Sequence, residues 1–291
     1  MMKILVTGAT GTQGGAVIDH LLSGEYGEFD IYGLTRDNES ERAVALSDRG
    51  VHVVTGDMSD EDRMRDLCAG MDGVFCVTTP FELGPEFEVQ QGVAMADAAA
   101  AESVSHFVYT SVGGADADSG VPHLESKWAV EQYLHDLDIP WTILRPVFFM
   151  QNLQWNAAEI AEGRLAMPLE ADVELAMVHA DDIGQAAATA FAHPETAAGA
   201  TVNLVGDSLT LEEMTAVLST ALDRSIEPVH LDIDAFRADR GEELAVMYAW
   251  FNEVGYDEEF VPADSTFGIH FHSFADFCAD AEAFRPAPAA A

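Results

Sequence analysis

The stretch that most constrains this chain is its amino terminus, Ile4-Leu5-Val6-Thr7-Gly8-Ala9-Thr10-Gly11-Thr12-Gln13-Gly14-Gly15. An apolar run short enough to be a buried strand leads into glycines at Gly8, Gly11 and Gly14, spaced G-x-x-G-x-x-G. A helical pattern, Ala16-Val17-Ile18-Asp19-His20-Leu21-Leu22, follows at once. A phosphate diester needs a tight turn, a backbone that it can approach and unpaired amide donors. Glycine supplies the first two, and a helix start supplies the donors and a favourable dipole. The flanking strand and helix set this run apart from a bare glycine-rich turn. Gly8, Thr10, Gly11, Thr12, Gln13 and Gly14 are therefore the expected cradle for a dinucleotide.

Charge narrows the function. The chain has 13 basic and 51 acidic residues, a formal net charge of −38, and its lysines are Lys3 and Lys127. Phosphate backbones bind to clustered Lys and Arg, so direct nucleic-acid binding is disfavoured. The acids are dispersed, as in Asp60-Glu61-Asp62, and read as a solvated surface suited to molar salt, where the Debye length is about 3 Å. This predicts a halophilic protein. A hydrophobic content of 48% fits a folded core. No apolar stretch reaches the roughly 20 residues of a membrane span. Met1-Met2-Lys3 runs straight into the first strand, so a cytoplasmic location is expected. Cys68, Cys76 and Cys278 have no paired spacing and read as buried free thiols.

Further along, strand and helix patterns alternate. Strands are expected at Asp30–Leu34, Val51–Thr55, Gly73–Val77, His106–Thr110 and Ile139–Pro146. Helices are expected at Glu41–Asp48, from the Ser59-x-x-Asp62 spacing to Ala69, at Glu86–Ala101 and at His123–Asp136. The Glu86–Ala101 helix carries Phe87, Val89, Val93, Met95 and Ala98 as its expected sheet-facing positions. This alternation predicts an α/β fold of Rossmann type, a doubly wound parallel sheet with helices on both faces. Arg36 closes the second strand, about 20 residues past the glycines, where a dinucleotide fold reads the adenosine ribose. A guanidinium there suits a 2′-phosphate and puts NADP(H) ahead of NAD(H). The plainer role for Arg36 is an ion pair with Glu39. Asp57 ends the third strand, near an adenine or simply in a loop. Thr78 ends the fourth, again on the ligand side.

His123 and Lys127 lie four apart and share a helix face. Lys127 is expected to bind the nicotinamide ribose, against a surface pair with Glu131. His123 sits near the ligand or in a loop. Ser111, after the fifth strand, is the third candidate for chemistry. Phe148-Phe149-Met150-Gln151-Asn152 is an apolar lip, read either as substrate wall or as core.

Together these residues resemble the NmrA-like branch of the atypical short-chain dehydrogenase/reductases. The likeness is carried by Gly8-Ala9-Thr10-Gly11 with Gln13-Gly14-Gly15, Leu34-Thr35-Arg36, Gly56-Asp57 and Gln91-Gly92. It continues through His123-x-x-x-Lys127 with Glu131 and Tyr133, Arg145-Pro146, Asn152 and Val178-His179-Ala180-Asp181-Asp182-Ile183-Gly184. The resemblance implies NADP(H) binding and a smaller carboxyl-terminal α/β subdomain. It implies a redox-sensing or regulatory protein that contacts a protein partner or, as the alternative, an NADPH-dependent reductase of a quinone or small carbonyl compound. Active short-chain dehydrogenases place Tyr-x-x-x-Lys on this helix; His123 stands at the tyrosine's place, as in sensor-type relatives. A lysine common after the Gln-Gly pair is Val93 here.

The expected division is a cofactor domain at 1–150 with 175–205 returning to it, a subdomain from 151–174 and 206–284, and a flexible tail at 285–291. In the later part, Asp181 or Asp182 is expected to cap a helix, and Thr210-Leu211-Glu212-Glu213 has capping-box spacing. Leu244, Met247, Tyr248, Trp250 and Phe251 form a helical stripe. His270 and His272 alternate on an expected strand near Cys278, which falls short of a zinc set, so no metal is expected.

Overall fold

The computed structural model describes residues 1–256, 267–279 and 284; the expected tail lies outside them. The elements run β1 (Met2–Val6), α1 (Thr12–Leu22), β2 (Phe29–Thr35), α2 (Glu41–Asp48), β3 (His52–Thr55), α3 (Glu61–Cys68) and β4 (Gly73–Val77). They continue with α4 (Pro85–Ala101), β5 (His106–Thr110), α5 (Pro122–Asp136), β6 (Trp141–Pro146), β7 (Phe148–Phe149), a 3₁₀ segment (Met150–Asn156) and α6 (Ala157–Ala161). Then follow β8 (Arg164–Met167), β9 (Leu175–Val178), α7 (Ala180–Ala192), α8 (Pro194–Ala197), β10 (Ala200–Leu204) and β11 (Asp207–Leu209). Last come α9 (Leu211–Ala221), β12 (Glu227–His230), α10 (Ile233–Arg240), α11 (Glu242–Glu253) and α12 (Phe274–Ala279).

Seven strands pair in the order β10-β6-β5-β4-β1-β2-β3, and every pairing is parallel. This is the doubly wound sheet that the alternation predicts. β4 and β5 are almost wholly buried because helices cover both faces. One apolar cluster joins the sheet to α1, α2 and α7; another joins it to α3, α4 and α5. The order of winding reverses between β1 and β4, which opens a crevice at the strands' carboxyl ends. A three-stranded sheet, β11-β9-β7, and a pair, β12-β8, belong with a separate cluster built from α9, α11 and α12.

Local chemistry decides several boundaries differently from the sequence pattern. Asp60, not Ser59, caps α3, accepting from the Arg63 amide at 3.0 Å; Ser59 is drawn instead to Asp57. His179, not an aspartate, caps α7, its Nδ1 accepting from the Asp181 amide at 3.2 Å. The capping box at Thr210 and Glu213 forms in full. The face that α4 buries holds Glu88, Gly92, Ala94, Met95, Ala96, Ala98 and Ala99, while Phe87, Val89 and Val93 are only half-buried. Small residues are needed because α3 and α5 both pack closely against this helix. His270 and His272 lie in irregular chain rather than a strand.

Candidate functional site

The crevice begins at the loop between β1 and α1. Thr7 Oγ1 accepts from the Val77 amide at 2.8 Å and donates to the Val77 carbonyl at 3.1 Å, clipping the ends of β1 and β4 together. Gly8 has φ +57°, and a Cβ on Gly14 would lie 2.3 Å from the Gly8 carbonyl oxygen. Only glycine fits both positions. No side chain caps α1 at Gly11, so its first amides are unclaimed donors. Gly8, Gly11 and Thr12 are exposed and Thr10 is half-buried. Gln13 is anchored, its Oε1 accepting from Thr110 Oγ1 at 2.6 Å at the end of β5. A loop that admits no Cβ at Gly8 or Gly14 and offers bare amides at the start of α1 fits a pyrophosphate.

Basic groups gather where the adenosine end would lie. Arg36, at the end of β2, pairs with Glu82 on the β4–α4 loop, with contacts of 2.5 and 2.9 Å; Glu39 is not its partner. Arg42, which no sequence motif singles out, donates to the Thr10 carbonyl at 3.1 Å. Arg63 donates to the Thr55 carbonyl at 2.9 Å. Asp57 folds onto its own turn, accepting from the Ser59 amide and hydroxyl at 2.9 and 2.7 Å. Those donors, and then Arg36, hold its carboxyl below the usual range.

Across the switch point sits Lys127, 7% exposed. Its Nζ donates to the Thr78 carbonyl at 2.9 Å, to Thr78 Oγ1 at 3.1 Å and to the Thr110 carbonyl at 3.3 Å. Its counter-charge is Glu88 Oε1 at 2.9 Å, on a side chain with no exposure. Thr78 Oγ1 donates to Glu88 Oε1 at 3.0 Å, and Ser126 Oγ to Oε2 at 2.5 Å. The expected alternative partner, Glu131, is taken elsewhere. It is bonded at both oxygens to Arg145 and accepts from Ser111. Arg145 also meets Asp116 at 2.9 Å and lies over the Trp128 ring. Ser111 thus gives its proton to a buried carboxylate.

His123 shares the helix face of Lys127 but turns to Glu243 on α11, Nδ1 to Oε1 at 3.2 Å. Burial, opposed by Glu243, holds its pKa below the usual histidine value. Phe81 lies beside its ring at 5.9 Å. Trp250, from the aromatic stripe of α11, closes over Gly114 in the loop after β5. The Phe148–Asn152 lip resolves largely as core. Phe148 and Met150 are buried, and Gln151 Oε1 accepts from the Ala180 amide at 3.1 Å.

Near the carboxyl end His272 joins an acid, and so does His20 on α1. His272 Nδ1 meets Asp182 Oδ1 at 2.6 Å, and His20 Nε2 meets Asp181 Oδ1 at 3.1 Å. Cys68, Cys76 and Cys278 are buried and unpaired, their thiols pushed up to about 12 by burial. Among the described residues, no helix is long and apolar enough to cross a membrane.

Three comparisons extend this geometry. An NAD(P)H azoreductase of Xenophilus azovorans is 32% identical over 234 residues, 79% of this chain and 78% of that protein. The triphenylmethane reductase of a Citrobacter species, solved with NADP(H), superposes with a TM-score of 0.80 at 23% identity, over 96% of this chain and 99% of the other. NmrA, a negative transcriptional regulator solved in complex with NADP, superposes with a TM-score of 0.76 at 20% identity, over 96% and 94% of the two chains. The profile of the NmrA-like family matches residues 1–282, and the chain belongs to that family.

Proposed function

We propose that this chain binds NADP(H) along the crevice and passes its reducing equivalents to a conjugated acceptor such as a quinone or an azo compound. The observation that carries this reading is one crevice with a glycine cradle at its centre, arginines at one end and a buried lysine at the other. The related azoreductase supports it. When bound, the dinucleotide supplies hydride.

The chain's own residues hold and orient. The free amides at the start of α1, from Thr12 to Gly14, face the pyrophosphate, and Arg36, with Arg42 behind it, faces the 2′-phosphate. Thr78 and Lys127 meet the nicotinamide ribose, with Glu88 holding Lys127 in place as its counter-charge. Asp57 keeps to its own turn and shapes the adenosine end.

The acceptor class follows from the proton inventory. Ser111 gives its only proton to Glu131. A neutral His123 that satisfies Glu243 carries its proton on Nδ1, so its Nε2 can only accept. Neither of these candidates for the chemistry has a proton to give. Quinones and azo compounds accept hydride without a dedicated acid, because their products take protons from water. The same inventory suits a regulatory protein that binds NADP(H) and signals its redox state to a protein partner. The fold shared with the NmrA regulator supports that second reading.

NADPH consumption against quinones, azo dyes and aldehydes in high KCl separates the two. Turnover with the first two classes, lost in Lys127→Met/Glu88→Gln, supports the reductase. Submicromolar NADPH binding without turnover across the panel supports the regulator. NADPH binding weakened by Arg36→Ala with NADH untouched supports the cofactor choice; equal losses refute it.

The unit built from 151–174 and 206–284, which brings Glu243 and Trp250 to the crevice, is proposed as the substrate or partner side. We read the acidic surface as adapted to a cytoplasm at molar salt. Full folding without KCl, seen by circular dichroism, would overturn that.

A further inference from the structure

Arg36 is already engaged in this structure by an anion of the chain itself. Glu82 offers its carboxylate to Nη1 and Nη2 at 2.5 and 2.9 Å. A phosphate monoester takes the same paired geometry on a guanidinium. The contact also crosses the crevice. Arg36 follows β2 and Glu82 follows β4, and those strands flank β1. The bridge between them therefore passes over the glycine loop.

We propose that Glu82 is an internal competitor for the 2′-phosphate site, so that it sets the preference between NADP(H) and NAD(H). This rests on the cofactor reading above and adds a residue that opposes it.

The physical argument is one of charge. A 2′-phosphate carries about −1.5 to −2 and reaches for the two nitrogens that Glu82 holds. It meets the Glu82 carboxylate there, with Asp57 close enough to act on Arg36. Both charges cannot keep the same pair of donors, and the more highly charged phosphate displaces the carboxylate. NAD(H) lacks the phosphate and leaves the pair intact.

The displacement has a structural consequence. Glu82 sits between Phe81 and Leu83, which are 67% and 65% exposed, and Phe81 lies against His123 at the nicotinamide end. Releasing Glu82 frees a loop that reaches from the adenosine end to the substrate side. NADP(H), and not NAD(H), thereby loosens that loop.

The pair is exposed, with side chains 68% and 52% accessible, so its strength is small. Exposed pairs of this kind are worth about 0.2–1 kcal/mol, which corresponds to roughly a 1.5- to fivefold change in affinity. Calorimetric titration of wild type and Glu82→Gln with NADPH and NADH, at one KCl concentration, reads it directly. Glu82→Gln lies on an exposed loop and removes no buried contact. It is expected to tighten NADPH binding by about 1.5- to fivefold and to leave NADH unchanged. In an Arg36→Ala background the same substitution is expected to do nothing. In wild type, amide exchange over residues 79–84 is expected to rise with NADPH and not with NADH. Equal gains for both nucleotides, no gain, or weakened NADPH binding overturn the proposal, the last marking Glu82 as a clasp over the bound nucleotide. If wild type binds neither nucleotide, the cofactor reading has failed before any substitution is made, and the proposal falls with it.

Discussion

Replacing Glu88 by glutamine tests whether the lysine of the site is held by a buried counter-charge. Glu88 is fully buried and Lys127 nearly so, and the carboxylate also accepts from Thr78 and Ser126. Glutamine keeps the shape. Its Oε1 can still accept from Lys127 and Thr78, and Ser126, already 3.3 Å from the His123 carbonyl, can donate there instead. What is lost is charge, which leaves an ammonium in the interior with neutral partners. Breaking a buried pair from one side costs about 3–5 kcal/mol; the retained hydrogen bonds put this case near the lower end. Urea unfolding in high KCl is the assay, because guanidinium chloride would change the ionic strength along the titration. Lys127→Met is expected to cost a similar amount by stranding Glu88. The double variant removes both charges and is expected to recover most of the loss, since contacting residues are not additive. Single variants within 1 kcal/mol of wild type, or a double variant that loses the sum, would refute the pairing.

Two further outcomes follow from burial and close approach. Burial lowers the His106 pKa to about 4 from 6.5, so between those values the unfolded chain holds a proton that the native one lacks, and stability falls as pH falls. From pH 7 to pH 5 this one group removes about 2 kcal/mol, and His106→Gln should flatten that part of the urea-midpoint profile. Gly14→Ala forces a Cβ to within 2.3 Å of the Gly8 carbonyl oxygen, 2.6 Å of its carbon and 2.7 Å of the Thr7 carbonyl oxygen. Backbone on every side leaves nothing to yield, so the loop must deform, and calorimetry should show NADPH binding lost while the sheet's circular dichroism persists.

What the sequence by itself determined here is local. The strand, glycine loop and helix at the amino terminus are written in residues that touch their near neighbours. So are the capping box at Thr210 and Glu213 and the alternation that dictates the parallel sheet. The buried Lys127 could be singled out too, because lysine is scarce in this chain.

Which acid each cation meets was decided only by tertiary structure. Arg36 has Glu39 close by in sequence but pairs with Glu82 across the crevice. Lys127 has Glu131 one turn away but pairs with Glu88 on the neighbouring helix. With 51 acids for 13 basic residues, proximity along the chain carries little information about pairing. The same holds for α4, whose larger apolar residues look like its core face. Close packing against α3 and α5 keeps Met95 and Ala98 of that face, adds small residues in place of Phe87, Val89 and Val93, and admits one glutamate, because Lys127, Thr78 and Ser126 are there to satisfy it. Backbone preferences act over a few residues, and the pairing of buried charges depends on which surfaces the completed fold brings together.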